Sequence, residues 1–366
     1  MGEFALGQAV SRFEDPRLLR GGGRYVEDMV LPHIVFGHVL RSPHAHARIR
    51  AIDTTAAKAA PGVLAVLTGA DWEASGWRDL PSAAGNKRRN GSLAHRPRYP
   101  ALVKDRVRWV GDYVAFVVAE TRHQAADAAE LIEVEYETLP AIVSTQDATK
   151  PGAPPVWDEA PDNISFVYLE GDKAATDAAF AGAAHIVKRK FVINRVTAAT
   201  MEPRGSIGDY NAAEGRYTIY TTLQRTHSYR AELARILKVP ESRVRVVAGD
   251  IGGSFGMKSA IYNEVALVLL ASKLVSRPVK WTSTRSEAFL SDAQARDNVT
   301  EAELALDRDG HFLGLRVKTI AAVGAYPQAG SNAFVANLGT LAGVYRTPAV
   351  HADVTAVYTH TNPLPR

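Results

Sequence analysis

"GDIGGSFGMKSAIYNEVALVLLASKLVSRPVKW", Gly249 to Trp281, crowds glycines ahead of Lys258 and Ser259 and follows them with a long apolar stretch. The pairing invites a nucleotide-loop reading, and two fingerprints come close without fitting. A Walker A loop needs glycine immediately before Lys-Ser, where this chain has Met257, and Ile251 breaks the Rossmann Gly-x-Gly-x-x-Gly. What remains is strand, glycine loop, helix. Gly252, Gly253 and Gly256 can take backbone angles closed to other residues and let a ligand approach the main chain. A helix beginning near Lys258 would present free amides and its positive dipole end, an arrangement suited to an anion, with Lys258 as an added point charge. A tight strand-to-helix turn holding no ligand is the plain alternative.

Outward from the loop, both flanks alternate strand and helix signals. "RVRVVAGD" (Arg243 to Asp250) reads as the strand entering it. "HSYRAELARILKV" (His227 to Val239) is an amphipathic helix with Leu233, Ile236 and Leu237 on one face, stopped by Pro240. "GRYTIYTTLQ" and "AAHIVKRKFVINRV" are strand-like by their aromatic and β-branched content. Beyond the loop come strands at "PVKWTST" and "TEAELALDRDGHFLGLRVKTIAAVG", the latter turning at Asp309-Gly310. Nearer the N-terminus, "HIVFGHVLRS", "GVLAVLTGADW", "RVRWVGDYVAFVVAET" and "RHQAADAAELIEVEYETLPAI" give four further strand or strand–helix segments, with a turn at Gly111-Asp112. The proline-rich "STQDATKPGAPPVWDEAPDN" (Ser144 to Asn163) reads as a linker or surface connection. The expected organisation is therefore α+β, in two parts: residues 1–150 and residues 151–366.

Composition narrows the chemistry. The 366 residues carry 43 basic and 39 acidic side chains, a formal net charge of only +4 with no long basic run, which argues against nucleic acid as a partner. "GNKRRNGSLAHRPR" (Gly85 to Arg98) is the nearest to a basic patch and reads as a solvated loop. Cysteine is absent, which excludes disulfides, thiolate metal sites and cysteine-held iron–sulfur clusters in this chain. No apolar stretch reaches transmembrane length, and the first twenty residues lack a secretion signal's apolar core, so the expected location is cytoplasmic.

"GDIGGSFGMKS" resembles the loop that typically reads Gly-Gly-Gly-Phe-Gly-x-Lys in the molybdenum hydroxylases, the family of xanthine dehydrogenase, aldehyde oxidase and carbon monoxide dehydrogenase large subunits. "RGGGRYVEDM", "VLRSPHAHARI" and "VGDYVAFVVAET" resemble that family's N-terminal α/β hammerhead domain. "MEPRGSIGDY", "TTLQRTH" and "RPVKWTSTRSE" resemble its first molybdopterin-binding domain, incomplete here at its C-terminal end. The likeness implies a molybdenum centre held by the sulfurs of molybdopterin, often the cytosine dinucleotide form, with no protein ligand to the metal. It places Gly252, Gly253, Ser254, Phe255, Gly256 and Lys258 against the cofactor, and matches Gln224 to a glutamine that bonds an oxo ligand. It implies [2Fe-2S] and FAD on partner chains, an iron–sulfur small subunit and an FAD-binding medium subunit. The substrate would be a small molecule: an aldehyde, an N-heterocycle or carbon monoxide. Ser259 stands where xanthine dehydrogenases carry a glutamate, which weighs against a purine substrate.

Other candidates carry plainer readings. His44 and His46, one residue apart in an expected strand, would share a face; a structural role outweighs a metal pair because no third ligand lies nearby. Glu202 is expected in an ion pair with an arginine, Asp250 as the cap of its turn, and Lys258 as either a cofactor contact or a surface residue. Family large subunits run roughly twice this length, and the resemblance puts the catalytic glutamate in the remaining half. The sequence stops at "YTHTNPLPR", just where a substrate-side loop is expected. It therefore reads as part of a split subunit completed by a second chain, or as a truncated fragment. A non-catalytic interaction module is the alternative.

Overall fold

The computed structural model describes residues 7–82, 87–328 and 338–364; Gly85 and Asn86 of the basic loop and the final Pro365-Arg366 lie outside them. In chain order the strands are β1 (Val35–Arg41), β2 (Ala47–Asp53), β3 (Val63–Thr68), β4 (Arg106–Val107), β5 (Tyr113–Ala119), β6 (Glu133–Thr138), β7 (Ile164–Gly171), β8 (His185–Val196), β9 (Gly205–Asn211), β10 (Arg216–Thr221), β11 (Val244–Val247), β12 (Val279–Thr282), β13 (Ala295–Leu306), β14 (Phe312–Gly324) and β15 (Ala349–Tyr358). They form a seven-stranded sheet ordered β11-β10-β9-β12-β1-β5-β3, a five-stranded sheet ordered β7-β15-β14-β13-β8, and a three-stranded sheet ordered β4-β2-β6. This mixed helix-and-sheet arrangement is the α+β class expected from the sequence.

The seven-stranded sheet draws strands from both sides of residue 150. The junction is a parallel pairing of β1 with β12, Val35 opposite Val279. β5 explains why its sequence, YVAFVVA, is apolar without alternation: every residue is buried. Phe116 and Val118 join the main core with the helix Asn263–Val275, while Ala115, Val117 and Ala119 meet Ala125, Ala128 and Ala129 of the helix Arg122–Glu130. A strand covered on both faces reads as a continuous apolar run. The helix Asn263–Val275 is buried from Asn263 through Ser272, and burying each of Leu267, Leu269 and Leu270 is worth about 1.5–3 kcal/mol. It ends with Ser276 in the left-handed region (φ 53°), two residues before Pro278.

A buried polar network backs this core. The Arg204 guanidinium pairs with Glu264, donates through Nε to Asp292 at 2.6 Å, and donates to Ser291 at 2.7 Å. Tyr113 of β5 donates to Glu264 at 2.7 Å, and Arg41 of β1 meets Glu287 at 2.8 Å. Burial alone would lower the pKa of Arg204, but Glu264, Tyr113 and Asp292 more than reverse it and the net shift is upward. Tyr113 and Arg41 thus lock the N-terminal strands to the elements around the glycine loop.

Several expectations change in three dimensions. The apolar helix begins at Asn263, not near Lys258. Met257–Ser259 is a single 3-10 turn followed by extended Ala260. The Ser254 carbonyl and hydroxyl take the Met257 and Lys258 amides (2.9 and 3.0 Å), and Tyr262 donates to the Met257 carbonyl (2.9 Å), so helical bonding cannot start there. The Ser144–Asn163 connection is more than surface linker, because Val156, Trp157, Ala160 and Asn163 are buried. Asn163 organises it, its side chain bonding Val156, Ala148 and Pro154. β4 is only two residues long and pairs with β2. His44 and His46 lie in the bend between β1 and β2 rather than in a strand. His46 stacks on His360 with ring centroids 4.0 Å apart, and His44 meets Tyr136 edge-on, so both are packing residues.

Candidate functional site

The glycine loop leaves β11 and is held in place from below by one carboxylate. Glu202 accepts the Gly252 amide at 2.8 Å through Oε2, and its own amide donates to the Gly252 carbonyl at 3.1 Å. The two backbones lie so close that a Cβ on Gly252 would sit 2.4 Å from the Glu202 Cβ. Lys258 completes the clamp. Its ammonium donates to the Glu202 carbonyl at 2.8 Å and to Oε2 at 3.1 Å, and the side chain is 0% exposed. Burial pulls the Lys258 pKa below the usual lysine range, and Glu202 opposes that shift. So Glu202 pairs with a lysine, where an arginine was expected. Lys258 is not a surface residue, and its ammonium is directed into the loop's foundation.

Above this clamp the backbone turns sharply. Gly253, Phe255 and Gly256 have φ of 100°, 52° and 96°. Glycine takes such angles without cost, whereas for Phe255 the left-handed region is unusual enough to suggest a functional constraint. The turn leaves the Phe255 ring 81% exposed. Among the described residues, the amides of Gly253, Ser254, Phe255 and Gly256 have no hydrogen-bond acceptor. Consecutive unpaired amides in such a turn form an anion-binding concavity. The free donors that an anion site would use are the loop's own amides, not those of a helix start. The long helix starts beyond it.

Phe255, Gly256 and Met257 line a cavity of about 200 Å³ whose other wall is Val196–Ala198 and Ala293–Arg296. The Thr197 hydroxyl is buried there with no partner among the described residues. Ser254 is buried, and its hydroxyl serves the Lys258 amide rather than the cavity. Gln224 is exposed at the start of the helix Thr226–Leu237, tied to the loop by its amide, which donates to the Lys258 carbonyl at 3.1 Å. The Ser259 hydroxyl donates to the Gly256 carbonyl at 2.6 Å. Asp250 does not cap the turn. It receives Arg17 through both carboxylate oxygens (2.7 and 2.8 Å) and the Arg24 amide (2.7 Å), fastening the N-terminal arm to the loop's entry.

Thr197, Gln294 and Arg296 escaped the reading of the sequence, since each sits in an ordinary strand-flanking segment and only the packing of β8 and β13 brings them to Phe255. The donor set fits an anionic, oxygen-rich cofactor that needs no protein ligand to its metal. It offers unpaired backbone amides and a hydroxyl, and the chain has no cysteine. The only described cluster with metal-ligand reach, Asp307, Asp309 and His311, lies in the exposed β13–β14 turn, away from this cavity.

Comparison with known proteins accounts for both parts of the chain. Residues 20–140 match the aldehyde oxidase and xanthine dehydrogenase a/b hammerhead domain, and residues 156–364 match the molybdopterin cofactor-binding domain. The chain is 36% identical to the carbon monoxide dehydrogenase large chain of Afipia carboxidovorans, over 95% of its own length and 44% of that protein. It superposes on the crystal structure of quinoline 2-oxidoreductase from Pseudomonas putida 86 with a TM-score of 0.90 at 35% identity, covering 99% of this chain and 46% of that one. It is also 29% identical to the nicotinate dehydrogenase large molybdopterin subunit of Eubacterium barkeri, over 98% of its own length and 80% of that subunit. The chain thus spans less than half the length of the first two. By these matches the chain belongs to the molybdenum hydroxylase family, as a hammerhead domain followed by a molybdopterin-binding domain.

Proposed function

We propose that this chain supplies one wall of a molybdenum hydroxylase active site and acts with polypeptide equivalent to the remainder of the longer relatives. The observation that carries the reading is the run of unpaired amides from Gly253 to Gly256, in a loop anchored by Glu202 and Lys258 whose Phe255 and Gly256 line a cavity. When bound, molybdopterin supplies molybdenum for two-electron oxidation with oxygen drawn from water. Phe255 and Gly256 would hold that centre, the exposed phenyl ring excluding water and the unpaired amides donating to its oxygen ligands. Gln224 is set at the loop's edge by its backbone bond to the Lys258 carbonyl, and its exposed side chain would reach an oxygen ligand of the bound cofactor. Gly252, Ser254 and Lys258 shape the loop from beneath. The cofactor would be the cytosine dinucleotide form.

The catalytic glutamate comes from that remaining half, and electrons leave through an iron–sulfur small subunit and an FAD-binding medium subunit in the cytoplasm. The substrate class is an aldehyde, an N-heterocycle or carbon monoxide. The relative in Eubacterium barkeri supports a divided subunit, since a molybdopterin subunit only modestly longer than this chain stands there under its own name. The test is metal analysis of the chain tagged in its native host and purified gently with whatever accompanies it. Molybdenum together with a co-purifying completing chain supports the reading. A complete complex containing this chain but no molybdenum refutes it.

A further inference from the structure

We propose that the cavity beside Phe255 and Gly256 is an oxyanion subsite, with Arg296 as its charged group. It takes a carboxylate or phosphate carried on an apolar body. The inference rests on the reading above, in that it names the chemistry recognised at the same site. The cavity is lined by hydrogen-bond donors and by no carboxylate. The Gly256 amide and the Thr197 hydroxyl are unpaired among the described residues. The Gln294 side-chain oxygen Oε1 accepts Arg195 at 3.0 Å, and its side-chain nitrogen Nε2 has no partner among the described residues. Val196, Ala198, Phe255 and Met257 supply the apolar walls.

Charge is what makes the site selective. The neighbouring Asp297 is satisfied by Thr145 at 2.6 Å and by Arg195 at 2.9 Å. Arg195 is in turn held by Asp297, Gln294, Thr361 and the Asn362 carbonyl. Arg296, opposite Arg195 in the ladder, is exposed and lines the cavity, and its guanidinium makes no hydrogen bond or ion pair among the described residues. Its backbone is also forced: Arg296 and Asp297 have φ of 74° and 54°, consecutive non-glycine residues in the left-handed region at the start of β13. The register with β8 is unshifted across this pair, with Arg296 opposite Arg195 and Asn298 opposite Ile193. Backbone strain of this kind persists where the surrounding fold over-determines it.

The experiment measures binding of benzoate and of benzyl alcohol to the full chain by calorimetry, for wild type, R296N, R296K and T197V. Asn tolerates the left-handed angle, and unfolding curves confirm that R296N keeps the fold. The expected result is saturable benzoate binding, weakened at least tenfold by R296N, less by T197V, and partly restored in R296K. Benzyl alcohol should bind weakly and equally to all four. Three results would overturn the proposal: no saturable benzoate binding, benzoate binding indifferent to R296N, or benzyl alcohol binding as tightly as benzoate. Molybdenum and bound phosphate in protein from the native host separate the two sources. Unchanged contents in R296N assign the site to a substrate carboxylate, and loss of both assigns it to the cofactor's phosphate. Wild-type complex without molybdenum defeats the functional reading, while the benzoate series still decides this one.

Discussion

Replacing Lys258 by Met tests the foundation of the loop directly. The ammonium is wholly buried, and it donates to the Glu202 carbonyl at 2.8 Å and to the carboxylate at 3.1 Å. Met keeps most of the side-chain volume, so the loss is chiefly electrostatic. It leaves Glu202 a buried carboxylate with the Gly252 amide on Oε2 and nothing on Oε1, which already lacks a partner. Breaking a buried pair from one side costs about 3–5 kcal/mol. At about 2–4 °C per kcal/mol for a domain of this size, the melting temperature should fall by roughly 6–20 °C. The assay is a double-mutant cycle with E202Q, followed by thermal unfolding. Because E202Q removes the stranded charge, K258M should cost less in that background, with a coupling of at least about 1 kcal/mol. Hydrogen exchange at the Gly252 amide should speed up in K258M. A cost below about 1 kcal/mol, or the same cost in both backgrounds, would refute the clamp.

Gly252→Ala should be far worse than a usual glycine-to-alanine change, because the new Cβ meets the Glu202 Cβ at 2.4 Å. We expect about 1–3 kcal/mol of destabilisation, as for overpacking, with reduced molybdenum content in the purified complex. His360 is buried, and its pKa is lowered to about 3, first by burial and then by His46 and Arg108. The unfolded chain therefore binds a proton that the folded chain refuses between about pH 6.5 and that value. This contribution is complete above pH 6.5 and falls away as the pH drops, so H360N should flatten the acid limb of a melting-temperature profile. Asp250, lowered to about 2 chiefly by its bond to Arg17, works as a carboxylate does: its contribution is present above the ordinary carboxylate range and lost as pH falls through it. D250N should expose the arm around Arg17 and Arg24 to trypsin at neutral pH, and an unchanged cleavage rate would show that the arm is held otherwise.

The sequence alone determined the fold class and the family and singled out the loop of the candidate site, and the reason is local. Strand and helix periodicities, the aromatic and β-branched runs, and the ordered short motifs around "GDIGGSFGMKS" are properties of adjacent residues. Gly253 and Gly256 are legible as glycines needing positive φ because that requirement is a backbone property of each position. Tertiary structure alone decided which charges meet. Lys258 and Glu202 are 56 positions apart, so nothing local distinguishes a buried clamp from a surface lysine with an arginine-paired glutamate. The same holds for Asp250 and Arg17, and for the buried Arg204–Glu264 pair that joins the segments. Thr197 and Arg296 become part of a cavity only because β8 and β13 pair and bring their ends to Phe255. The late start of the apolar helix belongs here too, since the amides that would have begun it are captured by Ser254, which is placed by the turn and not by helix propensity. Backbone preference is written residue by residue; the pairing of buried charges and the shape of a cavity are written only in the packing.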